Sequence, residues 1–73
     1  MASAPTDEPH ERVIRRIRSL AKQRNWSVNK LADFADVGRG YLSDVLAGKK
    51  SPTLRTLVKI SRALDTDVRD LFV

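Results

Sequence analysis

The clearest alternation of apolar and polar positions lies in residues 28–47, VNKLADFADVGRGYLSDVLA. With a period of 3.6 residues, this stretch predicts two short helices, 28–35 and 39–47, joined by a tight turn at residues 36–38. Apolar side chains recur where the two helices would face each other across the turn: Leu31, Ala35, Val37, Leu42 and Val45. Ala32 is small at the point where the two backbones must approach closely. The pattern therefore predicts one packed pair of helices.

Three further helices are predicted around this pair, over residues 11–24, 54–64 and 68–72. The first has an apolar stripe at spacings of three and four, formed by Val13, Ile14, Ile17, Leu20 and Ala21. The helix predicted over residues 54–64 has six positions that should face inward: Leu54, Leu57, Val58, Ile60, Ser61 and Leu64. Residues 1–10 contain two prolines and no periodicity, which predicts a disordered tail before a single helical domain over residues 11–73.

Residues suited to helix ends support these boundaries. The residues that suit N-caps are Ser27, Gly38, Thr53 and Asp67. The residues placed to end a helix in the left-handed conformation are Asn25, Asp36 and Gly48. Trp26, just before an N-cap, predicts a hydrophobic staple against a residue such as Leu31, although base stacking is an alternative role. The links are too short for a sheet, so the fold class is all-α.

The charge pattern points to a polyanionic partner. The chain has 73 residues and a net charge of +5, and seven basic residues without an acidic one lie between Arg12 and Lys30. A second basic cluster contains Arg39, Lys49, Lys50 and Arg55. Two short helices joined by a tight turn outline a helix-turn-helix, whose second helix normally lies in the DNA major groove. Nucleic acid is therefore the expected partner, ahead of an anionic membrane surface or a simple solvated basic face.

Composition narrows the other possibilities. The chain has no cysteine, and its one histidine, His10, lacks companion ligands, so no metal site is expected. We expect no cofactor, no small-molecule ligand and no enzymatic activity, because no nucleophile–base constellation or phosphate loop is present. No apolar run is long enough to cross a membrane and no signal peptide is evident, which favours a cytoplasmic, nucleoid-associated protein.

Residues 14–72 as a whole resemble a known family. The apolar spacing of the turn unit, the run GKKSPTL from Gly48 and the ending from Leu64 to Phe72 are similar to the Cro/repressor-type helix-turn-helix domain of the XRE family. The resemblance implies a compact five-helix fold like that of Cro and C1 repressors. It also implies sequence-specific binding of double-stranded operator DNA, commonly by a homodimer on a palindrome, and transcription regulation as a repressor or activator.

The chain departs from the family at several positions. Val28 stands where a polar side chain usually contacts a phosphate, and Asp36 replaces the usual turn glycine. Ala21 and Leu46 stand where many members have a bridging arginine and glutamate. Because losing both charges leaves an apolar contact, we expect Ala21 and Leu46 to touch. These departures keep a second function open, namely a protein–protein interaction module that retains the fold but has lost operator binding.

Family roles carried over by position predict a DNA-binding surface. Base contacts would fall to Arg39, Gly40, Ser43 and Asp44. Arg39 is the best candidate for a bidentate contact with guanine, whereas Asp44 would accept from cytosine, orient Arg39 or only face solvent. Backbone contacts would fall to Ser27, Asn29, Lys30, Tyr41, Lys49, Lys50 and Arg55. A homodimer interface would include Phe34, Leu71, Phe72 and Val73.

Overall fold

The protein folds into helices throughout the part of the chain that the structure, a computed structural model, describes: the backbone of residues 8–73 and the side chains of residues 11–73. Four α-helices are followed by one 3₁₀ helix: α1 Glu8–Gln23, α2 Val28–Ala35, α3 Arg39–Leu46, α4 Leu54–Ala63 and the 3₁₀ helix Val68–Phe72. No strand occurs within residues 8–73, so the predicted all-α class is confirmed. The fifth predicted helix forms as a 3₁₀ helix. The first helix begins at Glu8 and not at residue 11, so the predicted disordered tail is wrong for residues 8–10, whose backbone is helical, and its residues 1–7 lie outside the described part of the chain.

Side-chain caps begin three of the helices, as predicted. Ser27 Oγ accepts a hydrogen bond from the amide of Lys30 at 3.1 Å and begins α2. Thr53 Oγ1 accepts from the amide of Thr56 at 3.1 Å and begins α4. The Asp67 carboxylate accepts from the amide of Arg69 at 2.9 Å and begins the 3₁₀ helix. Each cap satisfies an amide that would otherwise lack a partner in the first turn.

Left-handed residues end the helices at the predicted positions. Asn25 has φ 59°, Asp36 has φ 60° and Gly48 has φ 81°, and Asp65 also has a positive φ of 56°. The backbone amide of Val37 then bonds to the carbonyl of Ala32 at 3.0 Å, which closes the turn between α2 and α3. Asp36 therefore adopts the conformation that the family's turn glycine would adopt, at a higher steric cost.

One apolar cluster joins all five elements. Its fully buried members include Ile17, Leu31, Leu42, Ile60, Leu64 and Leu71. The prediction that Leu54 faces inward is wrong, because 67% of its surface is exposed. Leu54 is the first residue of α4, and a helical side chain leans toward the N-terminus of its helix, which here lies beyond the core. Thr56 and Leu57 are the first α4 residues to be buried.

Leu46 is buried at the junction of α3 with α1, where its contact with Ala21 is predicted. Ala21 is 7% exposed and Leu46 is 6% exposed; both belong to the core cluster and line the same surface groove. That groove, of about 610 Å³, also involves Trp26, Val28 and Leu31. Arg18 of α1 donates from Nη2 to the carbonyl of Leu46 at 2.7 Å, which fixes the end of α3 on α1. Both apolar residues therefore lie at the junction of α1 and α3.

Basic side chains bind carbonyls at the ends of other elements. Arg18 binds Leu46, Arg24 binds Leu64 through Nη2, and Arg16 binds Asp70 through Nε at 3.1 Å. Lys59 of α4 donates to the carbonyl of Asp36 at 3.3 Å, at the end of α2. Helix C-termini leave carbonyls without intrahelical partners and carry partial negative charge. A cation placed there donates a hydrogen bond to such a carbonyl and also offsets the partial charge.

Candidate nucleic-acid interface

The two faces of α3 differ in burial, as its apolar pattern predicted. Leu42 and Val45 are fully buried, and Leu46 is nearly so, which anchors the helix in the core. On the opposite face Arg39, Gly40 and Ser43 are exposed, and Asp44 is partly exposed. An alanine-sized side chain built on Gly40 would meet no atom within 4 Å, so this part of the helix surface is open. The four predicted base-contacting residues therefore lie on one accessible surface.

Arg39 is held by an acid on the preceding helix. Its Nε donates to Asp33 Oδ1 at 3.1 Å, and its Nη2 donates to Asp33 Oδ2 at 2.7 Å. More than half of each side chain stays exposed, 59% for Arg39 and 56% for Asp33. The hydrogen bonds from Arg39 lower the pKa of Asp33, outweighing the opposing desolvation, and the attraction of the Arg39 charge lowers it further by a smaller amount. Asp33 is thus ionised at neutral pH, and the pair weakens as pH falls through that lowered pKa.

Asp44 does not orient Arg39, which corrects one of its three predicted roles. Its carboxylate lies 3.6 Å from Lys50 Nζ, and its backbone carbonyl accepts from the amides of Lys49 and Lys50 at 2.8 and 3.3 Å. These contacts fold the basic loop after α3 back onto the helix. Asp44 is therefore a partner of the loop, and the residue that orients Arg39 is Asp33.

The hydroxyl of Tyr41 has a partner inside the protein. It shares a hydrogen bond of 3.3 Å with the hydroxyl of Thr56, which is buried and also bonds to Thr53. Lys50 Nζ lies 5.9 Å from the centre of the Tyr41 ring. The side chain is half-buried, and its hydrogen bond to Thr56 links α3 to the start of α4. The predicted phosphate contact of Tyr41 would require this hydroxyl to exchange its partner or to accept a second bond.

The other predicted backbone contacts lie on the surface. Ser27 is exposed, but its hydroxyl is engaged as the α2 N-cap. The remaining five are exposed: Asn29, Lys30, Lys49, Lys50 and Arg55. No acidic residue occurs in the first turn of α2 or of α3. Free amides at these helix starts therefore remain suited to phosphate oxygens.

Aromatic residues form a stack at the outer side of α2. The rings of Trp26 and Phe34 are 4.7 Å apart with an interplanar angle of 27°, and Lys30 Nζ lies 6.0 Å from the Phe34 centroid. The direct ring partner of Trp26 is thus Phe34, while Leu31 lies fully buried beneath and shares the groove with Trp26. Phe34 remains 57% exposed, which leaves one face of the stack to solvent.

The predicted dimer residues divide between core and surface. Leu71 is fully buried in its own chain, so its side chain is unavailable to a second copy and the prediction for it is wrong. The 3₁₀ helix packs on both α1 and α4, and this packing directs Leu71 inward. Phe72 and Val73 are 50% and 71% exposed and, with Phe34, are the predicted interface residues that remain on the surface.

Sequence patterns did not reveal Asp33 as part of the site. It occupies an outward position on α2 and lies six residues before Arg39, across a turn whose geometry decides whether they meet. Opposite charges flanking the turn were the only signal.

Within the described part of the chain, no helix is long and apolar enough to cross a membrane. No group of three or more potential metal ligands occurs among the described residues either.

Comparison with known proteins places these features in context. A family model described as helix-turn-helix matches residues 17–71. The chain is 35% identical over 49 residues to the HTH-type transcriptional regulator SutR of Escherichia coli (strain K12), covering 67% of this chain but 28% of that regulator. It is 41% identical over 58 residues to the control protein C.BamHI of Bacillus amyloliquefaciens, covering 80% of this chain and 69% of that protein.

A solved structure has the same architecture. The restriction-modification controller protein C.AhdI from Aeromonas hydrophila superposes with a TM-score of 0.80 and 28% sequence identity. The superposition covers 86% of this chain and 96% of that protein. The similarity to controller proteins therefore extends over most of both chains, whereas the match to SutR spans little more than a quarter of that regulator.

Proposed function

The chain belongs to the XRE-type helix-turn-helix family of DNA-binding transcription regulators, and we propose that it binds operator DNA sequence-specifically through α3. The observation that carries the proposal is the pairing of the charged side chains on the surface around α3. Its exposed face presents Arg39 and Ser43, and both acids on or beside that face are already paired with cations, Asp33 with Arg39 and Asp44 with Lys50. A surface built in this way can approach phosphates without an unpaired negative charge.

Arg39 would provide the specific contact and the basic loop would provide affinity. A guanidinium can donate two parallel hydrogen bonds to guanine O6 and N7 in the major groove. Ser43 lies about one helical turn after Arg39 on the same face of α3. The exposed Gly40 directly follows Arg39. Lys49, Lys50 and the exposed start of α2 would hold the phosphate backbone on either side. This division assigns no catalytic step to the chain.

We propose that the protein binds a palindrome as a homodimer at the nucleoid. The exposed apolar residues Phe72 and Val73, with Phe34 as a second candidate, would supply the contact between copies. A two-fold axis would then place the two α3 helices about 34 Å apart, one turn of DNA. The two similar proteins are called a control protein and a restriction-modification controller protein. We propose the same regulatory role for this chain.

Selection of bound duplexes from a random pool, at low and at moderate salt, tests this function. We expect a palindromic consensus with guanine at a fixed position in each half-site, enriched at both salt concentrations. The controller role further predicts that this consensus occurs upstream of restriction or modification genes. Enrichment of no sequence, with weak dependence on salt, would instead favour the protein-interaction module.

A further inference from the structure

The ion pair between Asp33 and Arg39 joins the two helices of the turn unit beside the proposed base-contacting surface. We propose that Asp33 is a positioning residue that determines specificity, holding Arg39 in the one orientation from which it recognises guanine. The inference rests on the proposed DNA binding and adds to it a residue on α2. That residue would not itself touch a base.

The donor groups of Arg39 allow two partners at once. A guanidinium has five N–H donors arranged on two usable edges. Asp33 occupies the edge made by Nε and Nη2, with Oδ1 and Oδ2 each accepting one bond. The other edge, made by Nη1 and the second N–H of Nη2, is left for a bidentate acceptor. Guanine O6 and N7 form such an acceptor in the major groove.

The support behind Asp33 is rigid. Asp33 follows Leu31 and Ala32, which are 1% and 0% exposed, and the buried Ala35 lies two residues further on. These buried positions fix α2 on the core, so the carboxylate is presented from a fixed point. Arg39, at the start of α3, would otherwise sample many rotamers, and ordering a long side chain only on binding weakens a contact. An anchored carboxylate removes most of that cost in advance.

The same pairing gives a physical reason for an acid at this site. An unpaired carboxylate near phosphates would reduce affinity for every sequence. When Arg39 is correctly placed on guanine, the acid remains paired with it. Because the pair already exists in the free protein, Asp33 brings no unpaired negative charge to any duplex, and its effect is confined to the base pair that Arg39 contacts.

The test compares Asp33→Asn with the matched control Asp65→Asn. Asp65 is an exposed aspartate in the turn after α4, so both variants lose one negative charge with almost no change in shape. For each protein, affinity is measured for the selected duplex and for duplexes altered one base pair at a time. In the unmodified protein and in Asp65→Asn, replacing the guanine should cost about 5- to 150-fold in affinity.

In Asp33→Asn, the penalty at that one base pair should fall at least about threefold, while penalties at other positions stay as they were. Binding to unrelated duplexes should match that of Asp65→Asn. An unchanged penalty at the guanine would overturn the role of Asp33 and leave DNA recognition by α3 intact. No sequence preference in the unmodified protein would overturn both proposals.

A measurement without DNA tests the positioning step directly. The side-chain Nε–H of Arg39 should give a protected, shifted NMR signal in the free protein. This protection should disappear in Asp33→Asn and persist in Asp65→Asn, and Asp33→Glu should restore part of it. Equal protection in all of these variants would show that Asp33 does not hold Arg39. Because Asp33 is exposed, circular dichroism should show the same helix content in every variant.

Discussion

At the scale of single residues, polar side chains on α3 are already matched to specific partners. Arg39 binds Asp33, Asp44 lies beside Lys50, and Tyr41 bonds to Thr56. The exposed positions of Arg39, Gly40 and Ser43 follow from helical periodicity, because buried Leu42, Val45 and Leu46 fix the opposite face. The partners do not follow from periodicity, since each depends on a turn or loop that brings two side chains together.

Removal of Arg39 should remove a sequence-specific contact. We expect Arg39→Ala to weaken binding to the selected operator by about 1–3 kcal/mol and to abolish the preference for guanine at one position. Arg69→Ala is the matched control, because Arg69 is also an exposed arginine paired with an aspartate, Asp67, but lies in the 3₁₀ helix. Fluorescence anisotropy with operator and mutated duplexes measures both effects. Equal losses in the two variants would mean that Arg39 contributes only charge.

Two leucines with opposite burial should differ in their contribution to stability. Leu46 is 6% exposed and Leu54 is 67% exposed. Leu46→Ala should lower the free energy of unfolding by about 2–4 kcal/mol, since it opens a cavity between α1 and α3. Leu54→Ala should change it by no more than about 0.5 kcal/mol. Urea unfolding followed by circular dichroism compares them, and similar values would contradict the packing of either residue.

At the scale of helices, α1 has two different uses for its surface. Its apolar stripe enters the core through Val13, Ile17 and Leu20, as the spacing predicted. Its Arg18 and Arg16 bind carbonyls at the ends of α3 and the 3₁₀ helix, and Arg24, the residue after α1, binds one at the end of α4. The sequence shows a basic helix face, which is equally typical of a DNA-binding or a membrane-binding helix. Only the relative placement of the helices shows that Arg16, Arg18 and Arg24 bind groups within the protein.

Loss of one such arginine should destabilise the domain. We expect Arg24→Met to cost about 1–3 kcal/mol of unfolding free energy, because the carbonyls of Leu20 and Leu64 lose a charged donor while the apolar stem is kept. Arg15→Met removes the same charge from an exposed position of α1 and should have little effect. Thermal unfolding measures the loss of stability in both variants. An equal loss in Arg24→Met and Arg15→Met would show that only net charge matters.

Gly48, which follows α3, and Gly40, which lies within it, should respond in opposite ways to alanine. Gly48 has φ +81°, so Gly48→Ala should cost about 1–2 kcal/mol of stability. Gly40 lies inside α3 with open space around it, so Gly40→Ala should add about 0.5–1 kcal/mol. Unfolding measurements test both signs. Operator affinity adds a second result: a stabilised Gly40→Ala protein that no longer binds would assign Gly40 to close approach of the helix backbone to DNA.

At the scale of the whole molecule, net charge overstates the charge available to DNA. The chain has 14 lysines and arginines, but Arg16, Arg18 and Arg24 each bind a backbone carbonyl of the protein. The basic loop, by contrast, presents Lys49 and Lys50 at the surface beside α3. Affinity that depends on salt should therefore come mainly from this loop and from the neighbouring start of α2.

The salt dependence of binding measures that contribution. We expect Lys49→Ala/Lys50→Ala to lower the slope of log affinity against log salt by about 1.8, since each phosphate contact adds about 0.9. The order of preference among duplexes should not change. Arg62→Ala/Arg69→Ala removes the same charge outside the α2–α3 unit and should leave the slope nearly unaltered. A changed preference in the lysine variant would show that the loop also contributes to base recognition.

The architecture was largely predictable from the sequence, and the site only in part. Periodicity and capping residues locate α2, α3 and the turn at Asp36 because these features are local. Leu54 and Leu71 were misplaced because their burial depends on where an element ends relative to the rest of the core. The contact between Asp33 and Arg39 was missed for a related reason. Side chains on different helices meet according to the angle of the turn between them.

The burial of Leu71 has a consequence for the protein during its synthesis. Leu71 fills the centre of the core, and the neighbouring Asp70 carbonyl binds Arg16 of the first helix. A nascent chain cannot complete this core until residue 71 has emerged from the ribosome. The α2–α3 unit, whose contacts are local, can pair earlier on the elongating chain but remains without its cover. The complete core, and with it the α2–α3 unit in its final packing, should therefore form only after residue 71 has emerged.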